Sequence, residues 1–243
     1  TYNIQVAMQT TMPRHYFTGA WRHVMPHRRM ISNLDQIAKL ACDYDLIGLQ
    51  EADAGSIRSR GINQIDYIAE KAGFNQSDFR INRNIAGVAR HSLGYLSQYC
   101  VVRSYSLGLP GLPGRGALAV ELAGEQPLLF VNTHLALGQR ARRRQLAAIA
   151  GLISEYTHVI LVGDANTSAP ALLRNSALSE TDLKTLEPVP CRYPSGASTQ
   201  SLAPVLVSES QQLEAIESID LCLSDHLPVA AQITVPFRLK PAG

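Results

Sequence analysis

The stretch His158-Val159-Ile160-Leu161-Val162-Gly163-Asp164-Ala165-Asn166 runs apolar for four residues after its histidine and then closes on two polar side chains. A short apolar run bounded by turn residues reads as a buried strand. Asp164 and Asn166 stand at i and i+2 off its end, and on an extended segment those positions face the same way. An Asx turn accounts for the same pair without any chemistry. A buried strand that delivers polar groups to its end nevertheless builds a site on a rigid scaffold.

Three further segments have this form. Leu46-Ile47-Gly48-Leu49 leads into Gln50-Glu51, Phe130-Val131-Asn132-Thr133 leads into His134, and Ser224-Asp225-His226-Leu227 precedes a strand that begins at Pro228. Taken singly each has a plain explanation. Glu51 reads as a solvated strand-end acid, and His134 as a histidine whose polar atoms are satisfied locally. A carboxylate at a strand end also suits Mg²⁺, which takes one or two carboxylates together with water and substrate oxygens.

Helices alternate with the strands. Ile31, Leu34, Ile37, Ala38 and Ala41 keep the helical period from Met30 to Ala41. Ile62, Ile65, Ile68, Ala69 and Ala72 keep it again up to Gly73, a residue suited to a helix C-terminus. A third helix is expected over 139–154 and a short one near 169–178. Strands are expected at 93–97, 100–107, 116–122, 127–133, 158–163, 204–208, 213–219 and 228–235. Residues 2–7 read as the end of a first strand that wants more apolar residues before Thr1. Helices among this many hairpin-linked strands point to the α/β class, with two mixed sheets packed face to face and helices outside.

With 243 residues, 46% of them hydrophobic, the chain is long enough to bury a full core as a single domain over 1–243. A formal charge of +2 gives no global basic field that would draw nucleic acid by itself. The basic cluster Arg140, Arg142, Arg143 and Arg144 reads as a solvated helix face. The only tryptophan, Trp21, is far from it in sequence, so cations and rings do not interleave as they do where bases stack. Cys42, Cys100, Cys191 and Cys222 are too widely spaced for a C-x-x-C motif and read as small, mostly buried residues. No apolar run approaches the roughly 18 to 20 residues that span a bilayer. The chain is therefore expected to be soluble, with the cytoplasm one option among compartments left open, since a leader upstream of Thr1 is not accounted for. It is expected to be a monomer without a stable protein partner.

Taken in order, Thr1-Tyr2-Asn3-Ile4, Leu49-Gln50-Glu51, Asn132-Thr133-His134-Leu135, Gly163-Asp164-Ala165-Asn166 and Ser224-Asp225-His226-Leu227-Pro228 resemble the endonuclease/exonuclease/phosphatase family. That family includes deoxyribonuclease I, abasic-site endonucleases, neutral sphingomyelinases and inositol polyphosphate 5-phosphatases. The resemblance runs over nearly the whole chain. It implies a four-layer α/β/β/α sandwich with one active-site cleft at an end of the paired sheets. It implies that Glu51, with Asn3 and Asp225 close by, holds Mg²⁺ or Mn²⁺. Asp164 and Asn166 would position the attacking water and the phosphate, sometimes with a second metal. His134 and His226 would touch phosphoryl oxygens, where protonated imidazoles donate charge-assisted hydrogen bonds. The implied activity is metal-dependent hydrolysis of a phosphate ester, with the chain acting as a phosphodiesterase or nuclease. DNA, a phospholipid headgroup and a soluble phosphodiester all remain open as substrate. The chemistry has its own logic, because phosphate charge repels a nucleophile and a cation that offsets this charge lowers the barrier.

The chain departs from the family pattern in two places. Where relatives carry an Asp that hydrogen-bonds the histidine of Ser-Asp-His, this chain has Ala203 within Ser201-Leu202-Ala203-Pro204-Val205. An imidazole acting as base needs its other nitrogen held to fix tautomer and basicity. The general base is thus open between His226 and Asp164, and the rival reading is a non-catalytic binding or scaffold protein with a degraded site. Leu93 stands where many relatives have an Asn, which removes one phosphate contact. Arg58 or Arg115 could supply cationic contacts instead, although both read first as surface residues. The loop at 8–27, with Arg14, His15, Tyr16, Phe17, Trp21, Arg22, His23, His27 and Arg28, is a candidate rim for substrate selection.

Overall fold

The structure is a computed structural model and describes residues 1–7, 29–111, 113–186 and 203–243. The candidate rim at 8–27 and Cys191 lie outside the described residues. From the N-terminus the elements are β1 (Tyr2–Asn3), α1 (Met30–Ala41), β2 (Leu46–Asp53), α2 (Gln64–Ala72), β3 (Gln76–Ile85), β4 (Ala89–Ser97), β5 (Val101–Leu107), β6 (Gly116–Leu122) and β7 (Leu128–His134). They continue with α3 (Gln139–Ile153), β8 (Val159–Asp164), α4 (Ala169–Arg174), β9 (Leu183–Lys184), β10 (Val205–Ser208), β11 (Gln212–Ser218) and β12 (Val229–Thr234).

One sheet has the order β1-β2-β4-β3 and the other β5-β6-β7-β8-β10-β9. Each is mixed, because β1 runs parallel to β2 and β7 parallel to β8 while their other pairings are antiparallel. The hairpin β11-β12 leans on the first sheet through Thr1 and Val229, which exchange backbone hydrogen bonds.

Strand alternation sorts the apolar residues into three cores. Ile47, Leu49 and Leu96 face outward and pack under α1 and α2 with Leu34, Ile37, Ile65 and Ile68. Leu129, Val131, Leu161 and Leu206 face outward on the second sheet, under Leu146 and Ile149 of α3 and Leu172 of α4. Between the sheets lie Leu93, Tyr95, Leu118, Val120, Phe130, Ile160, Val162, Val205 and Val207. Helices, sheet, sheet and helices follow one another, so the fold is the α/β/β/α sandwich expected. Among the described residues no helix is long and apolar enough to cross a membrane.

One glycine sets the distance between α2 and the first sheet. A β carbon on Gly94 would stand 2.5 Å from Ile65 Cδ1, so α2 seats on β4 at a residue that has none. Helix α2 is framed by Asn63, whose side chain accepts from Ile65 N, and by Gly73 in the left-handed conformation that suits glycine.

Several expectations need correction. Only Tyr2–Asn3 of the segment 2–7 is strand, and Gln5, Val6 and Ala7 turn away from it with positive φ. Strand β2 does not stop at Glu51 but passes through a register shift to Asp53. The segment near 169–178 is two pieces, α4 and a 3-10 turn at Ala177–Glu180. Cys42 is exposed and Cys100 and Cys222 are partly so, rather than buried. In the basic cluster Arg140, Arg143 and Arg144 are exposed, whereas Arg142 folds back to donate to Ala136 O and Leu137 O.

Candidate functional site

The site begins where the two parallel strands of the second sheet end together. The last registered pair of β7 and β8 is His134 opposite Asp164. Both lie on the inter-sheet face, continuing the alternation of Phe130 and Asn132 on one strand and of Ile160 and Val162 on the other. Gly163, at φ 134°, has no tolerance for a side chain, since a β carbon there would collide with the Thr133 carbonyl oxygen.

The first sheet supplies Glu51 at a kink. The pairing of β2 with β4 shifts register between Leu49 and Ala52, and Glu51 adopts φ 53° inside that bulge. Bulges re-aim side chains, and a left-handed non-glycine residue costs on the order of 1–3 kcal/mol. The consequence is that Glu51 Oε1 lies 3.6 Å from His134 Nε2. Asp164 Oδ2 lies 3.4 Å from the same nitrogen. Donor atoms of Glu51, His134 and Asp164 all fall within 4.8 Å of one another.

Asn3 lies beneath this cluster and is buried. Its Nδ2 donates to Asp164 Oδ2 at 3.0 Å, and its Oδ1 accepts from Gln5 N at 3.1 Å. The Ser-Asp-His segment is tied to the same strand, because Ser224 Oγ donates to Asn3 O at 2.7 Å and accepts from His226 N at 2.9 Å. This brings His226 Nε2 to 3.7 Å from Asp164 Oδ2 and 3.8 Å from Asp225 Oδ1. Asn166, at φ 52°, donates its backbone N–H to Asp164 Oδ1 at 3.1 Å and its Nδ2 to Leu135 O at 2.9 Å. The Asx turn therefore forms, and Asp164 still presents its other oxygen to the cluster. All seven residues picked out by the sequence converge, with Asn3 as support and the other six lining a cleft of about 490 Å³. A larger cavity of about 600 Å³, mostly apolar, contains none of them.

Charge in the cleft is unbalanced. Burial pushes the Glu51 carboxyl above the usual carboxylate range; the hydrogen bond from Asn3 opposes this and the charges of Asp225 and Asp164 add to it. Burial also drives the His134 imidazole down to about 3; Asp164 pulls upward, while Arg115, His226 and His91 push further down. His134 is thus neutral at physiological pH, so its hydrogen bond to a phosphoryl oxygen would be an uncharged one. A neutral imidazole nitrogen between two carboxylates, with a third carboxylate nearby, is a set of donors whose repulsion a divalent cation would relieve. The donor set, two carboxylates with one imidazole, can hold a divalent metal ion.

Three further residues share the cleft: Arg58 and Arg115, offered by the sequence as cationic contacts although read first as surface residues, and His91, which it did not single out. Arg58 is no surface residue, being 2% exposed and paired with the fully buried Asp53 at 2.8 Å. Asp53 also accepts from Ser56 N at 2.7 Å, Ser56 Oγ at 2.7 Å and Ser59 Oγ at 2.8 Å. Burial would raise its carboxyl, but these hydrogen bonds and the Arg58 charge outweigh burial and hold it below the usual range. His91 shares the inter-sheet face of β4 with Leu93 and Tyr95, an alternation that was readable in the sequence. Leu93 itself is core, so the position offers no phosphate contact.

A model of the endonuclease/exonuclease/phosphatase family matches residues 1–226. No curated protein sequence matches the chain. Among solved structures, an endonuclease/exonuclease/phosphatase from Beutenbergia cavernae is similar over 96% of this chain and 70% of its own, at 18% identity and a TM-score of 0.71. A mannosyl-6-phosphatase from Bacteroides thetaiotaomicron is similar over 93% of this chain and 97% of its own, at 16% identity and a TM-score of 0.65. TDP2 of D. rerio, complexed with a single-strand DNA product, is similar over 84% of this chain and 93% of its own, at 17% identity and a TM-score of 0.59.

Proposed function

Because the chain belongs to the endonuclease/exonuclease/phosphatase family, we propose that it hydrolyses a phosphate ester with a divalent cation, a phosphodiester being the first substrate class to test. The observation that carries this reading is the convergence of Glu51, His134 and Asp164 from two different sheets onto one point. Strand ends that met only for packing would not bring two carboxylates and a neutral imidazole together. The intact cluster also weighs against the scaffold reading. Similarity to a sugar phosphatase and to a protein bound to a DNA product supports the phosphate ester and leaves its organic part open.

Glu51 anchors the cation in this reading, with His134 or Asp164 as further ligand and Asn3 and Asp225 at its flanks. Bound there, Mg²⁺ or Mn²⁺ would offset phosphoryl charge and stabilise the leaving oxygen. Asp164 orients the attacking water and takes its proton. It suits that role because Asn3 and the Asn166 backbone fix both of its oxygens. Among the described residues neither ring nitrogen of His226 makes a hydrogen bond, so its tautomer is not held and it serves better as a donor to the phosphoryl group. Asn166 holds the turn that aims Asp164.

The test is hydrolysis of bis-p-nitrophenyl phosphate with and without Mg²⁺ or Mn²⁺, followed by nicked DNA, abasic DNA, sphingomyelin and simple phosphate monoesters. Glu51→Gln should abolish the metal-stimulated rate in a folded protein. Wild-type activity in that variant at limiting Mg²⁺ would reassign the metal site. A wild-type protein inert towards every ester would return the scaffold reading.

A further inference from the structure

We propose that Arg115, supported by His91, forms an anion subsite beside the acidic cluster and takes phosphate oxygens that the cluster does not hold. This rests on the phosphate-ester reading for its ligand but on separate residues for its geometry.

Arg115 lines the cleft, yet its Nη1 is shut off from solvent and has no hydrogen-bond partner among the described residues. A buried guanidinium N–H without an acceptor is costly, and such groups call for a ligand or water. Arg58, the other arginine of the cleft, has its charge matched by Asp53. Arg115 has no ion pair among the described residues, so it is the cation of the cleft left to meet an incoming anion.

The backbone aims it there. Gly116 opens β6 and pairs with His134, which puts Arg115 one residue beyond the end of the His134 strand pair. Gly114, at φ 97°, donates its N–H to Asn82 O at 3.3 Å. A β carbon on Gly116 would lie 2.8 Å from Asn82 Oδ1. The Gly-Arg-Gly turn is thus pressed against β3: Gly116 has no room for a β carbon, and Gly114 supplies the positive φ of the turn. From the opposite sheet, His91 reaches the same space at the end of β4, with Nε2 3.5 Å from Arg58 Nη1. Arg115 and His91 line the same cleft as Glu51, His134 and Asp164, which sets them beside the cluster rather than on a remote rim.

A guanidinium fork matches the paired oxygens of a phosphate. With a cation at Glu51 on one side and Arg115 on the other, a phosphoryl group would be gripped across its width. Its orientation towards Asp164 would then be fixed by contacts from both sheets.

The experiment is ³¹P NMR titration of inorganic phosphate into the Mg²⁺-loaded protein, with melting temperature as the folding control. Arg115→Gln should weaken phosphate binding about 10- to 100-fold, the range expected for a hydrogen bond to a charged group. Arg115→Lys, which keeps the charge without the fork, should recover part of the loss, and His91→Gln should give a smaller one. Should Arg115→Gln fail to fold, the Lys variant decides, and wild-type affinity in whichever variant folds overturns the subsite. A wild-type protein that binds no phosphate overturns it as well. Phosphate binding that depends on Arg115 in a protein that hydrolyses no ester would retain the subsite while removing the catalytic reading.

Discussion

Gly48 of one sheet and Asn132 of the other touch: a β carbon on Gly48 would lie 3.0 Å from Asn132 Cγ. Asn132 is fully buried, donates to Leu49 O and Gly94 O at 2.9 Å each, and accepts from Gln50 Nε2 at 2.6 Å. This amide is a fully buried polar bolt between the two sheets. Gly48→Ala should therefore destabilise the protein by about 1–3 kcal/mol, the range for overpacking, measured by denaturant unfolding. It should also lower activity, because Gly48 lies two residues from Gln50 and three from Glu51.

Acid should act on the metal-free protein in two opposed ways. His134 is held down to about 3, so from the ordinary histidine range down to that value the unfolded chain carries a proton that the folded chain lacks, and stability falls as pH falls. Glu51 is raised, so its contribution is full in acid and is lost as pH rises above the ordinary glutamate range. In chelator, His134→Gln should lose less melting temperature than wild type between about pH 6.5 and about pH 4. Glu51→Gln should lose more. Parallel curves for all three proteins would contradict both assignments.

The Asp53–Arg58 pair makes a separate claim about stability. Removing one partner of a buried pair leaves an uncompensated charge and typically costs about 3–5 kcal/mol. Arg58→Ala should fall in that range by calorimetry, and the double replacement Asp53→Asn with Arg58→Ala should cost less than the single one. Because Asp53 is held below the usual range, the pair's contribution is present at neutral pH and is lost as acid protonates it.

Ala203 tests which group takes the proton. It packs against the inter-sheet core just before β10, in line with Val205 and Val207. A restored carboxylate partner for a basic His226 would be worth roughly 10- to 100-fold. With Asp164 as the base, Ala203→Asp should change the rate by less than about tenfold and leave the acid limb of the pH–rate profile in place. A faster enzyme with a displaced limb would transfer the role to His226.

Most of this architecture is legible in the sequence alone. Helix α1 has the bounds its apolar period gives, because Leu34, Ile37, Ala38 and Ala41 have only one buried face to serve. Strand β3 was missed for the opposite reason. Its sequence Gln76-Ser77-Asp78-Phe79-Arg80-Ile81-Asn82-Arg83-Asn84-Ile85 has no apolar run, as fits an edge strand that is exposed or half-exposed along its length. The site was legible wherever a polar residue took the next inward position of an apolar strand, as His134 and Asp164 do. His91 obeys the same rule but was hidden behind the packing role of Leu93 and Tyr95. Arg58 was named as a possible cationic contact, but its burial was not readable, since that depends on Asp53 and two serines folding around it in a loop.

Glu51 comes from one sheet and His134 and Asp164 from the other, while Asp225 and His226 arrive from the last quarter of the chain. During synthesis neither half of the sandwich can assemble these groups alone, and contacts so distant in sequence form late. A nascent or half-folded chain therefore does not carry the complete cluster of Glu51, His134 and Asp164. Cation affinity should appear only when the two sheets dock, which makes the rate of metal uptake during refolding a clock for that final step.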